Sequence, residues 1–333
     1  MLLRQHPSYK ERLLSCDQKT KLSKTGEVGA FFLFVLYHML CMPASVFLRM
    51  LNYPLYKNID DNFLKYRAAF GYWSIVGNLH KAQESLFYKS ISVEDPSLEI
   101  GLCRGDISSL FFEGKKFTCG SEFLYFTGAK AYRNYKLWKW VISEDLYNLA
   151  WKDDTFRTIC LVHTIDHIKN LDSTLSELSR IVKDGGVLYM SGYSAYLFKP
   201  NIVHFILRNF NKNLAERFAE SIVRKRHHYN LLSYEEWTEK LQQYGFEIVD
   251  FKYFDGGKYE WLVYFMIHVL ETGRCFEFKL FKIISKFKFI EKLFCFYYIS
   301  IGYPIYCMVR NNKVKWGTDF FLKAVKITGN KNK

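Results

Sequence analysis

The sequence predicts an α/β fold, a mostly parallel sheet with helices on both faces, and three observations carry that expectation. Between Leu98 and Ser191 short apolar runs alternate with amphipathic helical patterns, the order that strand–helix–strand crossovers impose. The first run opens into a gapped glycine pair, Gly101-Leu102-Cys103-Arg104-Gly105, which reads either as a nucleotide loop or as an ordinary strand-to-helix turn. The chain has 333 residues and 49% hydrophobic content, enough for a real core and too apolar for a disordered protein.

Taken in order, LEIG (98–101) is a first strand, SLFF starts a short helix, and KKFTCGSEF (115–123) is a second strand ending at Glu122. RTICLVHTI (157–165) is a third clear strand. STLSELSRIVK (173–183) reads as a helix with Leu175, Leu178, Ile181 and Val182 on one face, and GGVLYMSG (185–192) as a fourth strand. A helix capped by Ser233 and stopped by Gly245 leads to the strand EIVDFKYF, and DFFLKAVKI alternates as a last strand. The domain expectation is residues 1–90 as a basic tail with apolar and amphipathic helices, 91–261 with 313–328 as the α/β domain, and 262–312 as an aromatic, basic insertion.

The net charge of +14 implies an anionic neighbour, nucleic acid or acidic lipid. From Leu262 to the end, thirteen Lys/Arg face four Asp/Glu, so about +9 of the charge sits there among Phe, Ile and Tyr. That mixture suits a membrane surface better than a groove that tracks phosphates. Eight cysteines without a C-x-x-C pair argue against a zinc site or a disulfide framework, and no metal is expected.

The segment SEDLYNLAWKDDTFRTICLVHTIDHIKNLDSTLSELSRIVKDGGVLYMSG decides the reading of the glycine pair. Asp145, LAW (149–151), DDTFRT (153–158), IDHI (165–168) and LSELSRIVKDGG (175–186) follow one another as in class I S-adenosylmethionine-dependent methyltransferases of the type 11 branch, which this stretch resembles. The resemblance implies a Rossmann-like sheet and S-adenosyl-L-methionine as cofactor. It implies that Glu99 orients the loop, that Gly101, Cys103 and Gly105 pass close to the cofactor, and that Glu122 receives the ribose hydroxyls. It places Asp145 near the adenine, with Leu146 packing beside it. His163, in the strand itself, is counted with the cofactor site. The chain departs from the family pattern at Cys103 (in place of a glycine), at Ser121 and at Asp184.

A hydroxyl acceptor needs its proton removed, and a histidine titrating near neutrality suits that task. His167 with Asp166, at the carboxyl edge of the third strand, reads as an acid-oriented base or as a helix cap. His228, in RKRHHYNLLSYEEW (224–237), reads as a lid over the acceptor or as a solvated loop.

The apolar run 28–48 is long enough to cross a bilayer. Its flank of Lys10, Arg12, Lys19, Lys21 and Lys24 would then leave the enzyme core outside, so an in-plane or buried helix pair broken at Pro43 is expected instead. The functional expectation is a methyltransferase on the cytoplasmic face of a membrane, acting at oxygen on a lipid or lipid-linked glycan. Nucleic acid is not expected, because HTIDH lacks the Pro-Pro-aromatic loop used on base amino groups. The competing expectation is a non-catalytic membrane partner whose loop Cys103 has disabled.

Overall fold

The computed structural model describes residues 75–103, 105–256 and 314–327 continuously, with residues 299, 300, 302–308, 310 and a few single positions before 75. Most of the run 28–48 and most of the insertion 262–312 therefore lie outside the described residues. Contacts divide the chain into two units, one made of residues 84–260 and 313–333 with the first three residues, the other of 4–83 and 261–312. Within the second unit, the ring of Phe63 lies 5.4 Å from those of both Tyr303 and Tyr306, an apolar aromatic cluster. Among the described residues, no helix is long and apolar enough to cross a membrane.

The first unit is a seven-stranded sheet. Helix α1 (Ile75–Ser90), which belongs to this unit from Glu84 onward, leads to β1 (Ser97–Ile100), α2 (Asp106–Phe111), β2 (Phe117–Ser121), α3 (Tyr125–Asn134) and β3 (Trp138–Ile142). Then come β4 (Phe156–Val162), α4 (Leu171–Ile181), β5 (Val182–Tyr193), α5 (Ile202–Phe210), α6 (Lys212–Arg226), α7 (Tyr234–Gln243), β6 (Phe246–Phe254) and β7 (Asp319–Lys326). The strand order is β3-β2-β1-β4-β5-β7-β6. The first five strands are parallel, and β7 runs antiparallel between β5 and β6. The order reverses between β1 and β4, so the crevice beyond their carboxyl ends is where such a sheet takes a ligand.

Amphipathic spacing explains α4. Leu171, Leu175, Leu178 and Ile181 are buried along one face, and each fully buried leucine or isoleucine contributes about 1.5–3 kcal/mol. Asn170 caps it by accepting the Ser173 N–H at 3.1 Å, so the helix begins two residues before the expected Ser173. It also ends earlier, at Ile181, because β4 pairs Phe156 with Val182 and draws Val182 into β5. Strand β3 is not among the expected elements; its burial does not alternate, since Trp138 is buried while Lys139 and Trp140 are both exposed.

The helix residues that mark the family motif serve the fold. Arg180 donates from Nη2 to the Leu149 carbonyl at 2.9 Å and to Glu177 at 2.7 Å, and from Nη1 to the Trp151 carbonyl at 2.6 Å and to Asp153 at 2.9 Å. Glu177 in turn accepts the Leu149 N–H at 2.8 Å. This fork-shaped clamp fixes the connection from β3 to β4 and with it the position of Asp145.

Candidate active site

The loop after β1 alternates into the left-handed region. Gly101 has φ +79°, Cys103 +47° and Gly105 +78°. At Gly101 the need for glycine is set inside the protein as well as by any ligand, since a Cβ there would lie 2.1 Å from Thr164 Oγ1. That hydroxyl is itself held at 3.2 Å from the Ile100 carbonyl and 3.1 Å from the Val162 carbonyl. At Gly105 a Cβ would press on Tyr135, Ala131 and Trp138 at 2.9–3.0 Å. Cys103, exposed, adopts a left-handed conformation normally left to glycine.

Two buried glutamates hold this loop. Glu99 on β1 accepts from Ser108 Oγ at 2.5 Å and from Trp138 Nε1 at 2.8 Å, tying α2 and β3 to the strand beneath the loop. Burial pushes its carboxyl up to about 7 against the pull of those two donors. Glu122 at the end of β2 accepts the Cys103 N–H at 2.7 Å on Oε2 and the Leu124 N–H at 3.2 Å on Oε1, and burial raises it too. Backbone N–H groups thus hold both of its oxygens in place, and a carboxylate with its several lone pairs can still accept from ribose hydroxyls. With the crease of positive-φ backbone beside it, this chemistry fits S-adenosylmethionine.

Asp145 is half-buried, and its Oδ1 accepts the Tyr147 N–H at 3.1 Å in a local turn. Leu146 beside it packs against the core. The neighbouring Glu144, which no sequence motif marks, accepts from Trp151 Nε1 at 2.8 Å and from the Ala150 N–H at 3.3 Å. Burial raises its carboxyl, so it belongs to the packing of this connection rather than to the open edge.

Beyond β4 the chain turns at His163 (φ +46°) and forms a single 3₁₀ turn, Ile165–His167. His163 does not extend β4. Its Nε2 lies 3.3 Å from Glu84 Oε1 and 3.7 Å from Asp319 Oδ1, both buried, and its ring meets Tyr193 edge-on at 5.2 Å. Ser191 Oγ donates to the same Glu84 oxygen at 2.6 Å.

The structure brings Asp166, His167 and His228 together across sixty residues of sequence. His228 Nδ1 stands 2.8 Å from Asp166 Oδ2, whereas His167 Nε2 stands 3.8 Å from it, so the imidazole that the acid orients is His228. His167 stacks on His228 at 4.8 Å between centroids, with its Nδ1 3.1 Å from the His227 carbonyl. Tyr193 packs its edge against His228 at 4.5 Å. Burial alone would raise Asp166, but His228 and the charges of His163 and His167 outweigh it and hold the carboxyl below its usual range.

A strap following α6 builds this cluster. The Tyr229 N–H donates to the Asp166 carbonyl at 2.6 Å, and buried Asn230 donates from Nδ2 to the carbonyls of Ile165 and Ile168 at 2.8 and 2.6 Å. Neither Asn230 nor Tyr193 carries a local signal in the sequence; an asparagine four residues past a basic run gives no sign that it will clamp a distant turn. Thr164 touches the cofactor loop at Gly101 and lies two residues before Asp166, so cofactor loop and His–Asp pair share one edge of the sheet.

Residues 102–250 match the model of a methyltransferase domain family. No curated protein matches the chain. Among solved structures, the chain is similar to a methyltransferase from Thermotoga maritima described as a possible histamine N-methyltransferase (15% identity, 76% of this chain and 92% of that one, TM-score 0.43). It is similar also to a putative methyltransferase from Bacillus halodurans (16%, 74% and 98%, 0.41). A third is phosphoethanolamine N-methyltransferase 2 from Haemonchus contortus in complex with S-adenosyl-L-methionine (18%, 80% and 56%, 0.45). The match lies on the seven-stranded sheet described above, so this part of the chain carries a methyltransferase domain with a Rossmann-like methyltransferase fold. The matched domain supports S-adenosylmethionine-dependent methyl transfer, and Glu99, the 101–105 loop and Glu122 are the residues that would hold that cofactor.

Proposed function

We propose that the enzyme methylates a hydroxyl oxygen of a lipid or lipid-linked glycan at the cytoplasmic face of a membrane, with His228 accepting the proton. The observation that carries this reading is the 2.8 Å contact between His228 Nδ1 and a buried, ionised Asp166, on the same sheet edge as the cofactor loop. S-adenosylmethionine supplies an activated methyl group, so the protein's task is alignment and removal of one proton. Ionised Asp166 keeps a proton on Nδ1 and leaves Nε2 of His228 as the free acceptor. Burial of His228 keeps water from competing for that nitrogen, and the rings of His167 and Tyr193 fix its plane. Glu122 and the loop fix the cofactor end, and Thr164 sets the spacing between the two ends.

The lipid and membrane parts of the reading draw on the net charge of +14 and its concentration with aromatic residues after Leu262. The test is transfer of radiolabelled methyl from S-adenosylmethionine to membrane extracts by the purified full chain. Label is expected in the organic-soluble fraction, with His228→Gln and Asp166→Asn each lowering the rate by roughly 10²–10⁴-fold. Label entering RNA or protein instead, or full activity in both variants, overturns the reading.

A further inference from the structure

Helices α5 and α6 carry exposed apolar residues outside the cluster described above. Asn211 ends the first and caps the second, its side chain accepting the Leu214 N–H at 3.2 Å, so the two helices meet at a one-residue apex. Around that apex Phe205, Ile206, Phe210 and Leu214 are all exposed, Phe205 by 61% and Phe210 by 86%. Single exposed apolar residues are ordinary, but four large ones within ten positions form a patch. Cations adjoin it: Arg208 and Lys212 flank Phe210 in sequence, Lys212 pairing with Glu216 at 3.9 Å, and between Lys199 and Arg226 seven Lys/Arg stand against two acids, three of the seven in the last turn of α6. A protein partner would need the apolar patch alone. An anionic lipid surface uses both features, taking the rings among the acyl chains and the cations among the headgroups.

We propose that the apex of the α5–α6 hairpin docks the enzyme on an anionic bilayer, inserting Phe210 and its apolar neighbours. This rests on the membrane part of the proposed function and assigns the contact to residues outside 28–48 and 262–312. It also bears on the acceptor. Helix α6 has 15 residues, about 22 Å of rise, and runs from the apex to His227, next to the proton-accepting His228. The His228 N–H is bonded to the Val223 carbonyl at 3.1 Å, so lipid contact and active site are the two ends of one helix. An acceptor whose hydroxyl stands off the bilayer on a headgroup or glycan matches that reach.

The experiment is co-sedimentation of the full chain with phosphatidylcholine vesicles, with and without phosphatidylglycerol, for wild type, Phe205→Ser/Phe210→Ser and Arg208→Glu/Lys212→Glu. S-adenosylmethionine binding serves as the folding control. Wild type is expected to bind the anionic vesicles, and each double variant to bind them at least about tenfold more weakly with cofactor affinity unchanged. If wild type and folded variants bind anionic vesicles equally, the hairpin is not the docking surface and this proposal fails alone. If folded wild type binds no vesicles, the membrane reading fails with it.

Discussion

At Cys103 a side chain occupies a backbone state that costs a non-glycine residue about 1–2 kcal/mol, yet its N–H makes the 2.7 Å bond to Glu122 that shapes the loop. Replacing it with glycine removes the strain and adds back chain entropy of similar size. Cys103→Gly should therefore change stability by less than about 1 kcal/mol and keep or improve cofactor affinity, read by thermal melts and calorimetry. Glu99 makes a pH prediction. Its ordinary value of 4.5 rises to about 7 in the fold, so between those values the native state binds more protons than the unfolded chain. The stability it contributes is complete below pH 4.5 and is lost as pH rises through 7, by roughly 3 kcal/mol at 1.36 kcal/mol per unit. Glu99→Gln keeps the Trp138 and Ser108 contacts without the charge. Urea titrations from pH 4.5 to 8 should show a flatter profile for the variant; parallel profiles would mean the carboxyl is not perturbed.

Among the elements, the strap after α6 matters most to the active site. Asn230→Ala leaves the carbonyls of Ile165 and Ile168 without their buried donor and should cost about 1–3 kcal/mol in urea unfolding. The same change should lower methyl transfer with little effect on cofactor affinity, because Glu122 and the glycine loop do not touch the strap. Helix α7 gives a smaller, local case. Ser233 and Glu236 form a reciprocal capping box, and Ser233→Ala should cost about 1 kcal/mol without altering transfer. Elements whose signal is local were legible in the sequence: the glycine loop, β4, the amphipathic face of α4 and the Ser233 cap. Strand β3 was not, because its burial follows no period-two pattern: Trp140 is exposed although it shares a face with buried Trp138. The cluster was legible in membership but not in pairing. Asp166 and His167 are neighbours in sequence, and only the fold brings His228 1 Å closer to the acid than His167 is.

For the whole molecule, the proposed reaction divides into two halves on one sheet edge, a cofactor half that Glu99, Glu122 and the 101–105 loop would hold, and a proton half that Asp166, His228 and the strap would hold. Gly101 and Thr164 join them, since the glycine leaves room only for that threonine. The measurement that tests this division most directly is calorimetric S-adenosylmethionine binding by wild type, Gly101→Leu and His228→Gln. Wild type should bind, Gly101→Leu should lose at least about tenfold in affinity because its side chain has positive φ and Thr164 against it, and His228→Gln should bind as wild type. Absence of binding by folded wild type, or undiminished binding by Gly101→Leu, would contradict the assignment of the cofactor to this loop.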